Sequence, residues 1–238
     1  MITLEKIVIK HIIVEGPDGA GKTTCIKQLQ NVLPNTIVFS MGKVSALLDV
    51  ESPSELNYLN PNFVNSKYNF TNHKILEQSL HLYRNSITIA EISKKINNLI
   101  DTATQNNQTS IEINIIQDRS WISSVIYNGI DLHHAYENFS QLLLELKTDL
   151  LHKTKILDYS IVYWYIYATL RELMDRRNSR GTTDVYEDKY TSEKLLSDYN
   201  DLFDFLETGS LKNEIKVIRY YNEHSAIIDV EKLLKNLI

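Results

Sequence analysis

Short apolar runs alternate along the chain with longer stretches in which apolar residues recur at helical spacing. The apolar runs predict five β-strands, over residues 7–14, 35–40, 111–117, 156–167 and 215–220. The amphipathic stretches predict helices over residues 24–33, 74–102, 120–127, 136–151, 170–179, 185–206 and 230–238. Strands that alternate with helices are typical of a parallel sheet covered on both faces. The sequence therefore predicts an α/β fold with a central parallel sheet of about five strands.

Two segments interrupt this alternation. Residues 50–72 are rich in Asn, Pro and Tyr and lack periodicity, which predicts a long loop or irregular insertion. Residues 180–184 predict a turn. A chain of 238 residues without internal repeats is long enough for one substantial core, so we expect a single domain over residues 1–238.

The most specific motif lies between the first predicted strand and helix. Gly16 to Thr23 spells G-P-D-G-A-G-K-T, which matches the phosphate-binding pattern G-x-x-x-x-G-K-[ST]. Glycines let the backbone turn its N–H groups around an anion, and the following helix N-terminus favours negative charge. Lys22 then reaches the β- and γ-phosphates, and the Thr23 hydroxyl ligates Mg²⁺. A glycine-rich turn with a surface lysine would not explain why strand, motif and helix coincide. The residues predicted to bind the nucleotide are Gly16, Asp18, Gly19, Ala20, Gly21, Lys22, Thr23 and Thr24.

A second polar segment begins where the strand over residues 111–117 ends. Asp118 is placed for the Mg²⁺ shell, and Arg119 for bidentate contact with a phosphate. A helix over residues 120–128 would put several polar side chains on neighbouring sides: Arg119, Ser123 and Tyr127 on one, Ser124 and Asn128 one step round. Such a wall suits a phosphate at one end and a base at the other. An ordinary helix cap with surface polar residues explains the spacing equally well.

A third segment is rich in arginine. Arg176 and Arg180 are four residues apart, and Arg177 and Arg180 three apart, so each pair can share a helix face. A mobile arginine-bearing segment can stabilise charge on the equatorial oxygens in phosphoryl transfer. On spacing alone, a solvated basic face paired with Glu172 and Asp175 is the more common outcome.

Composition narrows the class of protein. The formal charge of −5 argues against a nucleic-acid-binding surface. Cys25 is the only cysteine, so the chain forms no intramolecular disulfide and has no cysteine metal cage. The histidines are scattered without ligand spacing, so we expect no metal beyond the nucleotide's Mg²⁺. The sequence has no signal-peptide pattern and no apolar run of membrane-spanning length, so we expect a cytoplasmic protein without membrane contact.

Together the three segments resemble the thymidylate kinase family of deoxynucleoside monophosphate kinases. The loop I-V-E-G-P-D-G-A-G-K-T-T resembles that family's E-G-x-D-G-x-G-K-[ST]-T. The segment D-R-S-W-I-S-S-V-I-Y-N-G is similar to D-R-Y-x-x-S-x-x-A-Y-Q-G, and R-R-N-S-R-G-T-T-D-V-Y-E to the lid pattern R-x-x-x-R-G-x-x-D-R-x-E. Order and spacing hold along most of the chain. The resemblance implies a P-loop NTPase three-layer sandwich with a helical lid at about residues 171–187, and fold analogy suggests a homodimer.

The resemblance also implies an activity and roles for residues. The activity is transfer of the ATP γ-phosphate to a deoxynucleoside 5′-monophosphate, with ATP and Mg²⁺ handled by Lys22 and Thr23 and with Asp118 near the metal. The residues implied on the acceptor side are Arg119 and Arg84 for the phosphate, Asp18 for the sugar 3′-hydroxyl, and Ser123 or Ser124, Tyr127 and Asn128 for base and sugar. Gly19 stands where some members carry an arginine. Arg180 first and Arg176 next would therefore supply the catalytic cation.

Three positions depart from the family pattern. Ser40-Met41-Gly42-Lys43 stands where the family usually has R-E-P-G-G, so Lys43 is expected to take over phosphate contact. Leu80, one turn before Arg84, replaces an aromatic residue that would stack on thymine, and Asn128 replaces Gln. These changes point to dTMP or to a related or modified deoxynucleotide as acceptor.

Two other functions stay open. A deoxynucleoside kinase has an E-R-S motif that resembles Asp118-Arg119-Ser120, but it needs a base for the sugar hydroxyl proton, and the expected acid after the second strand is missing. A non-catalytic nucleotide-binding protein would keep the phosphate loop without a working acceptor site. The segment around Met41, which lacks the acid of the family pattern, is the feature that supports this non-catalytic alternative.

Overall fold

A computed structural model describes residues 4–40, 70–179, 189–211 and 215–222, without the side chains of residues 70–82, 84, 128 and 189–191. The elements in chain order are β1 (Leu4–Glu15), α1 (Lys22–Val32), β2 (Thr36–Ser40), α2 (Phe70–Gln105), β3 (Ser110–Asp118), α3 (Trp121–Asn128), α4 (Leu132–Leu151), β4 (Thr154–Tyr167), α5 (Leu170–Asn178), α6 (Lys189–Thr208) and β5 (Lys216–Tyr221). Each of the five predicted strands is present. Four predictions lie wholly or partly outside the described residues. They are residues 50–69 of the insertion predicted over 50–72, the turn over 180–184, the start of the helix over 185–206 and the helix over 230–238.

The five strands form one parallel sheet in the order β2-β3-β1-β4-β5. β1 lies at the centre, where Val14 is opposite Asp118 of β3 on one side and Trp164 of β4 on the other. Because all strands run the same way, their carboxyl ends meet at one edge of the sheet. This arrangement brings the ends of β1 and β3 together and confirms the predicted parallel sheet.

Helices cover both faces of the sheet, which confirms the α/β three-layer fold. On one face, alternate β1 residues such as Ile7, Ile9 and Ile13 are buried with apolar residues of α2, α3, α4 and α6. On the other, Ile12 and Val14 are buried with residues of α1 and with Leu173 of α5. A strand buried on both faces requires a nearly continuous apolar run, which explains the composition of β1.

Some helix boundaries differ from the predictions, one of them because of a capping side chain. α4 begins at Leu132 rather than at 136, because the Asp131 side chain accepts a hydrogen bond from the His134 N–H at 2.9 Å. α2 begins at Phe70, within the segment predicted to be irregular. Within the described residues, none of the helices combines the length and the apolar character needed to cross a membrane.

Candidate functional site

The phosphate-binding pattern forms a tight loop between β1 and α1. Gly16, Gly19 and Gly21 have φ angles of 143°, 87° and 101°, which side chains rarely permit. A Cβ on Gly16 would lie 2.0 Å from the carbonyl oxygen of Ile166 in β4. The glycine at position 16 is therefore required both by backbone conformation and by the close approach of β4.

The first turn of α1 leaves its backbone donors available to an anion. Gly21 occupies the N-cap position, and no side chain caps the helix there. Thr23 in the first turn is exposed, and Thr24 is half-buried. Uncapped N–H groups at a helix N-terminus attract negative charge, so this end of α1 is chemically suited to phosphate.

Lys22 is held inside the loop. Its ammonium nitrogen donates hydrogen bonds to the carbonyl oxygens of Gly16 and Pro17, at 2.8 and 2.9 Å, and lies 3.5 Å from Asp18 Oδ1. Burial and the nearby Arg119 lower the pKa of Lys22 to about 8, against the opposing effect of Asp18. The loop thus holds the buried Lys22 ammonium in a fixed position, where its positive charge is chemically suited to an anion.

Arg119 follows β3 with a φ angle of +68°, which is uncommon for a residue with a side chain. Its guanidinium forms an ion pair with Asp18 and donates to Ser123 Oγ at 3.2 Å. The Tyr127 ring lies 5.0 Å from the Arg119 guanidinium carbon, in a cation–π arrangement. The structure therefore brings Arg119, Ser123 and Tyr127 to one side of α3, as the spacing predicted.

Two residues to which the sequence analysis gave no role complete this cluster. Glu15, fully buried at the end of β1, accepts hydrogen bonds from the Ser120 N–H, the Ser120 hydroxyl and the Ser123 hydroxyl, at 2.6, 2.8 and 2.8 Å. Tyr199 of α6 places its hydroxyl 3.4 Å from Glu15 Oε2. Burial raises the pKa of Glu15, while Arg119 and the serine donors act against this shift. An acid ending an apolar run was a usable signal for Glu15; we find none for Tyr199.

Asp118 has one oxygen to offer to a metal. Its Oδ2 accepts a weak hydrogen bond from Ser40 Oγ at 3.5 Å, whereas its buried Oδ1 has no hydrogen-bond partner among the described residues. The described part of the chain contains no cluster of three acidic, histidine or cysteine ligands. One carboxylate and the hydroxyl of Thr23, an exposed residue, fit Mg²⁺, which is usually held by one or two protein oxygens together with phosphates and water.

Two α5 arginines contact the phosphate loop from its outer side. Arg176 donates to the carbonyl oxygens of Gly19 at 3.3 Å and Asn222 at 2.8 Å. Arg177, 4% exposed, donates to the carbonyl oxygen of Asp18 at 3.2 Å and to the Ser192 hydroxyl. In this structure both arginines therefore stabilise the loop by donating hydrogen bonds to its carbonyl oxygens. The predicted solvated face therefore does not describe Arg177, whereas Arg171 of the same helix is highly exposed, with its Nε 3.9 Å from Asp175 Oδ2.

Asn222, which follows β5, supports the loop from the same direction. Its side-chain nitrogen donates to the Ala20 carbonyl oxygen at 2.7 Å, and its N–H donates to Tyr167 O at 2.8 Å. The residue is 1% exposed. The loop is therefore backed by β4, α5 and the end of β5 together.

The remaining predicted site residues differ in exposure and in hydrogen bonding. Tyr127 is exposed, with 36% of its surface accessible, whereas Ser124 is buried and its hydroxyl has no partner among the described residues. Ser123 is 5% exposed and its hydroxyl is engaged by Glu15 and Arg119. Lys43 and Arg180 lie outside the described residues, as do the side chains of Arg84 and Asn128. Their roles stay predictions.

Comparison with known proteins finds likeness only in structure. No family model matches the sequence. No curated protein matches it either.

Solved structures of thymidylate kinases and of a deoxyadenosine kinase resemble the chain over almost its whole length. Thymidylate kinase from Candida albicans is 18% identical with a TM-score of 0.50, over 100% of this chain and 92% of that one. Deoxyadenosine kinase from M. mycoides with bound dATP is 16% identical with a TM-score of 0.51, over 96% and 98%. Thymidylate kinase from Ehrlichia chaffeensis is 16% identical with a TM-score of 0.49, over 96% and 99%. The expected resemblance is thus confirmed for the fold, because the chain shares its three-layer α/β architecture with these structures.

Proposed function

We propose that the protein transfers the γ-phosphate of ATP, with Mg²⁺, to a deoxynucleoside 5′-monophosphate, either dTMP or a related or modified deoxynucleotide. One observation carries this proposal: Lys22 and Arg119 both approach the same carboxylate oxygen of Asp18. One cation belongs to the phosphate loop and the other to the end of β3. Two cations that converge on one point suit a donor and an acceptor phosphate that meet there.

The donor side of the site is the phosphate loop with α1. Lys22 and the first-turn N–H groups would bind the β- and γ-phosphates, while Thr23 and Asp118 would hold the metal. When bound, Mg²⁺ would neutralise charge on the phosphate oxygens. The chain itself would bind and align the donor and needs no covalent intermediate.

The acceptor side is Arg119 with Tyr127. A guanidinium grips a phosphate through two parallel N–H groups, and the partly exposed Tyr127 ring offers a surface for a base or sugar. Asp18, with half of its side chain exposed, pairs with Arg119 in this structure. A monophosphate that takes its place at Arg119 would free Asp18 for the sugar 3′-hydroxyl. Lys43, Arg84, Ser124 and Asn128 remain proposed contributors to this side.

A deoxynucleoside kinase is the second candidate, and the likeness to a deoxyadenosine kinase favours it. That reaction needs an accessible base near the sugar 5′-hydroxyl. Glu15 does not suit this role, because it is fully buried and already accepts three hydrogen bonds. Asp18 is committed to two cations, which also weakens it as a base. The charges of the site favour the monophosphate.

Several finer assignments belong to the same proposal. We propose membership of the thymidylate kinase-like family, one domain over residues 1–238, a homodimer and a cytoplasmic location. Arg180 is the proposed catalytic cation of a lid at about residues 171–187. Arg176 is the weaker choice, because its guanidinium already binds the carbonyl oxygens of Gly19 and Asn222.

A phosphate-transfer assay with ATP and Mg²⁺ tests the function across deoxynucleoside monophosphates, ribonucleoside monophosphates and free nucleosides. The variant Lys22→Ala removes the loop cation, and Lys27→Ala, on the exposed side of α1, is the matched control. Transfer to a monophosphate that is lost in Lys22→Ala and kept in Lys27→Ala supports the proposal. Transfer to nucleosides alone establishes the second candidate. ATP binding without transfer to any acceptor indicates a non-catalytic binding protein.

A further inference from the structure

We propose that Glu15 and Tyr199 are positioning residues that hold the Arg119 guanidinium ready for the acceptor phosphate. The proposal rests on the proposed function, in which Arg119 contacts that phosphate. Neither residue needs to touch the substrate, because each acts through hydroxyl groups on the buried side of Arg119.

Glu15 determines where the nearby hydroxyl protons point. Its two oxygens accept from both donors of Ser120 and from the Ser123 hydroxyl. Since Ser123 gives its only hydroxyl proton to Glu15 at 2.8 Å, the lone pairs of Ser123 Oγ remain for Arg119, whose Nη1 donates to it at 3.2 Å. The buried acid therefore converts a serine into a fixed acceptor for the guanidinium.

Tyr199 provides the second fixed acceptor. Its hydroxyl oxygen accepts from Arg119 Nη1 at 3.2 Å and lies 3.1 Å from Ser123 Oγ and 3.4 Å from Glu15 Oε2. The Tyr199 ring is fully buried, stacks on Tyr165 at 5.9 Å between centroids, and meets the Tyr127 ring edge-on at 6.2 Å. Ring packing thus prevents the hydroxyl from following a guanidinium that moves.

The backbone of Arg119 is also fixed by hydrogen bonds. Gln117 Nε2 donates to the Arg119 carbonyl oxygen at 2.9 Å, and the Arg119 N–H donates to Val14 O at 3.0 Å. These bonds hold the left-handed conformation, with φ at +68°, that a non-glycine residue avoids. Such backbone conformations persist only where the surroundings determine them.

The contacts of the Arg119 guanidinium leave only one of its edges accessible to a phosphate. Nη1 points to the buried hydroxyls of Ser123 and Tyr199, while Nη2 pairs with the exposed carboxylate of Asp18. A phosphate can replace Asp18 only on the Nη2 side. We infer that the Glu15–Ser123–Tyr199 cluster presents this edge of the guanidinium before the acceptor arrives, which lowers the cost of ordering it on binding.

The variant Tyr199→Phe removes the fixed acceptor and keeps the ring. Tyr165→Phe is the matched control, because it also deletes a hydrogen-bonded hydroxyl, here the 2.7 Å bond to Asn200, from the same aromatic stack without contact to Arg119. We expect the KM for the monophosphate to rise about tenfold in Tyr199→Phe, with the KM for ATP unchanged. Tyr165→Phe should change neither constant. Equal changes of both constants in Tyr199→Phe, or no change, would overturn the proposal.

A second measurement does not depend on activity. In the ligand-free protein, ¹⁵N NMR reports hydrogen exchange and rotation of the Arg119 guanidinium, whose signal is assigned by its loss in Arg119→Lys. We expect the rates of hydrogen exchange and of guanidinium rotation to be about tenfold higher in Tyr199→Phe and in Glu15→Gln than in the wild type or in Tyr165→Phe. Unchanged guanidinium motion in both variants would overturn the positioning role. If the wild-type protein phosphorylates no acceptor, the proposed function fails, while this measurement still decides the role of Glu15 and Tyr199.

Discussion

Asp18 and Arg119, which are 101 residues apart, form an ion pair that joins the phosphate-binding loop to the end of β3. Lys22 approaches the same carboxylate from the other side at 3.5 Å. Burial alone would raise the pKa of Asp18, but Lys22 and Arg119 together hold this pKa below its ordinary value. The Asp18 carboxylate therefore lies between the two cations, and in the proposed function a phosphate would take this position.

Removing this competitor should strengthen phosphate binding. In Asp18→Asn we expect inorganic phosphate to bind about twofold to fivefold more tightly by calorimetry, the range that an exposed ion pair supports. Asp175→Asn, which breaks the exposed pair with Arg171, is the matched control and should leave phosphate affinity unchanged. Weaker phosphate binding in Asp18→Asn would show that Asp18 orders the cations instead of competing with phosphate.

Arg177 should contribute to stability far more than its neighbour Arg171. Its buried guanidinium bonds to the Asp18 carbonyl and the Ser192 hydroxyl, so Arg177→Ala removes both hydrogen bonds together with the packing of a buried side chain. We expect the free energy of unfolding in urea to fall by about 2–4 kcal/mol. Arg171→Ala, at an exposed position of the same helix, should stay within about 0.5 kcal/mol of the wild type. Equal effects of the two substitutions would contradict the stabilising role of Arg177.

Gly16 should tolerate no side chain. An alanine Cβ there would lie 2.0 Å from Ile166 O, at a φ of 143°, so either the loop or β4 must shift. We expect Gly16→Ala to lower the unfolding free energy by about 3 kcal/mol or more and to abolish ATP binding. Gly129→Ala is the control, since its φ of 60° is also positive but no atom lies within 4 Å of the added Cβ. It should cost about 1–2 kcal/mol and leave ATP binding intact.

His11 should make stability depend on pH. It is fully buried between Tyr159 Oη at 3.0 Å and Gln117 Oε1 at 2.8 Å. Burial lowers its pKa from 6.5 to about 4, and Lys147 adds to the shift. As the pH falls, the imidazole of the unfolded chain is protonated before the buried imidazole of the folded chain. The contribution of neutral His11 to the free energy of unfolding is therefore complete above pH 6.5 and is lost as the pH falls toward 4. The loss amounts to about 3 kcal/mol at most.

Urea unfolding between pH 5 and pH 7 measures this effect. We expect a smaller loss of stability on acidification in His11→Gln than in the wild type, whatever its stability at pH 7. His133→Gln, at an exposed position, should keep the wild-type slope. The same slope in His11→Gln and the wild type would show that His11 does not carry the pH dependence.

The sequence predicted those parts of the molecule that local patterns determine. The β1 run is apolar on both faces because the strand is buried on both faces, and the Gly16–Thr23 pattern needs its glycines for backbone conformation. The start of α4 was misplaced because a single side chain, Asp131, caps it. Periodicity of apolar residues carries no information about such a cap.

The parts of the site that the sequence did not indicate depend on distant partners. Glu15 bonds to Ser120 and to Tyr199, which lie 105 and 184 residues away. Arg176 has the spacing of a lid cation, yet the carbonyls that it contacts belong to Gly19 and Asn222. Only the packing of α5 and α6 against the loop decides these roles.

The hydrogen bond from Asn222 to Ala20 spans 202 residues, and this has a consequence for how the protein is made. During translation Ala20 of the phosphate-binding loop leaves the ribosome 202 residues before Asn222, which follows β5 and supports the loop. Contacts of such large sequence separation form slowly and late. We therefore expect nascent chains that end before residue 222 to carry an incomplete loop, so that nucleotide binding appears only after Asn222 has been synthesised and has folded against Ala20.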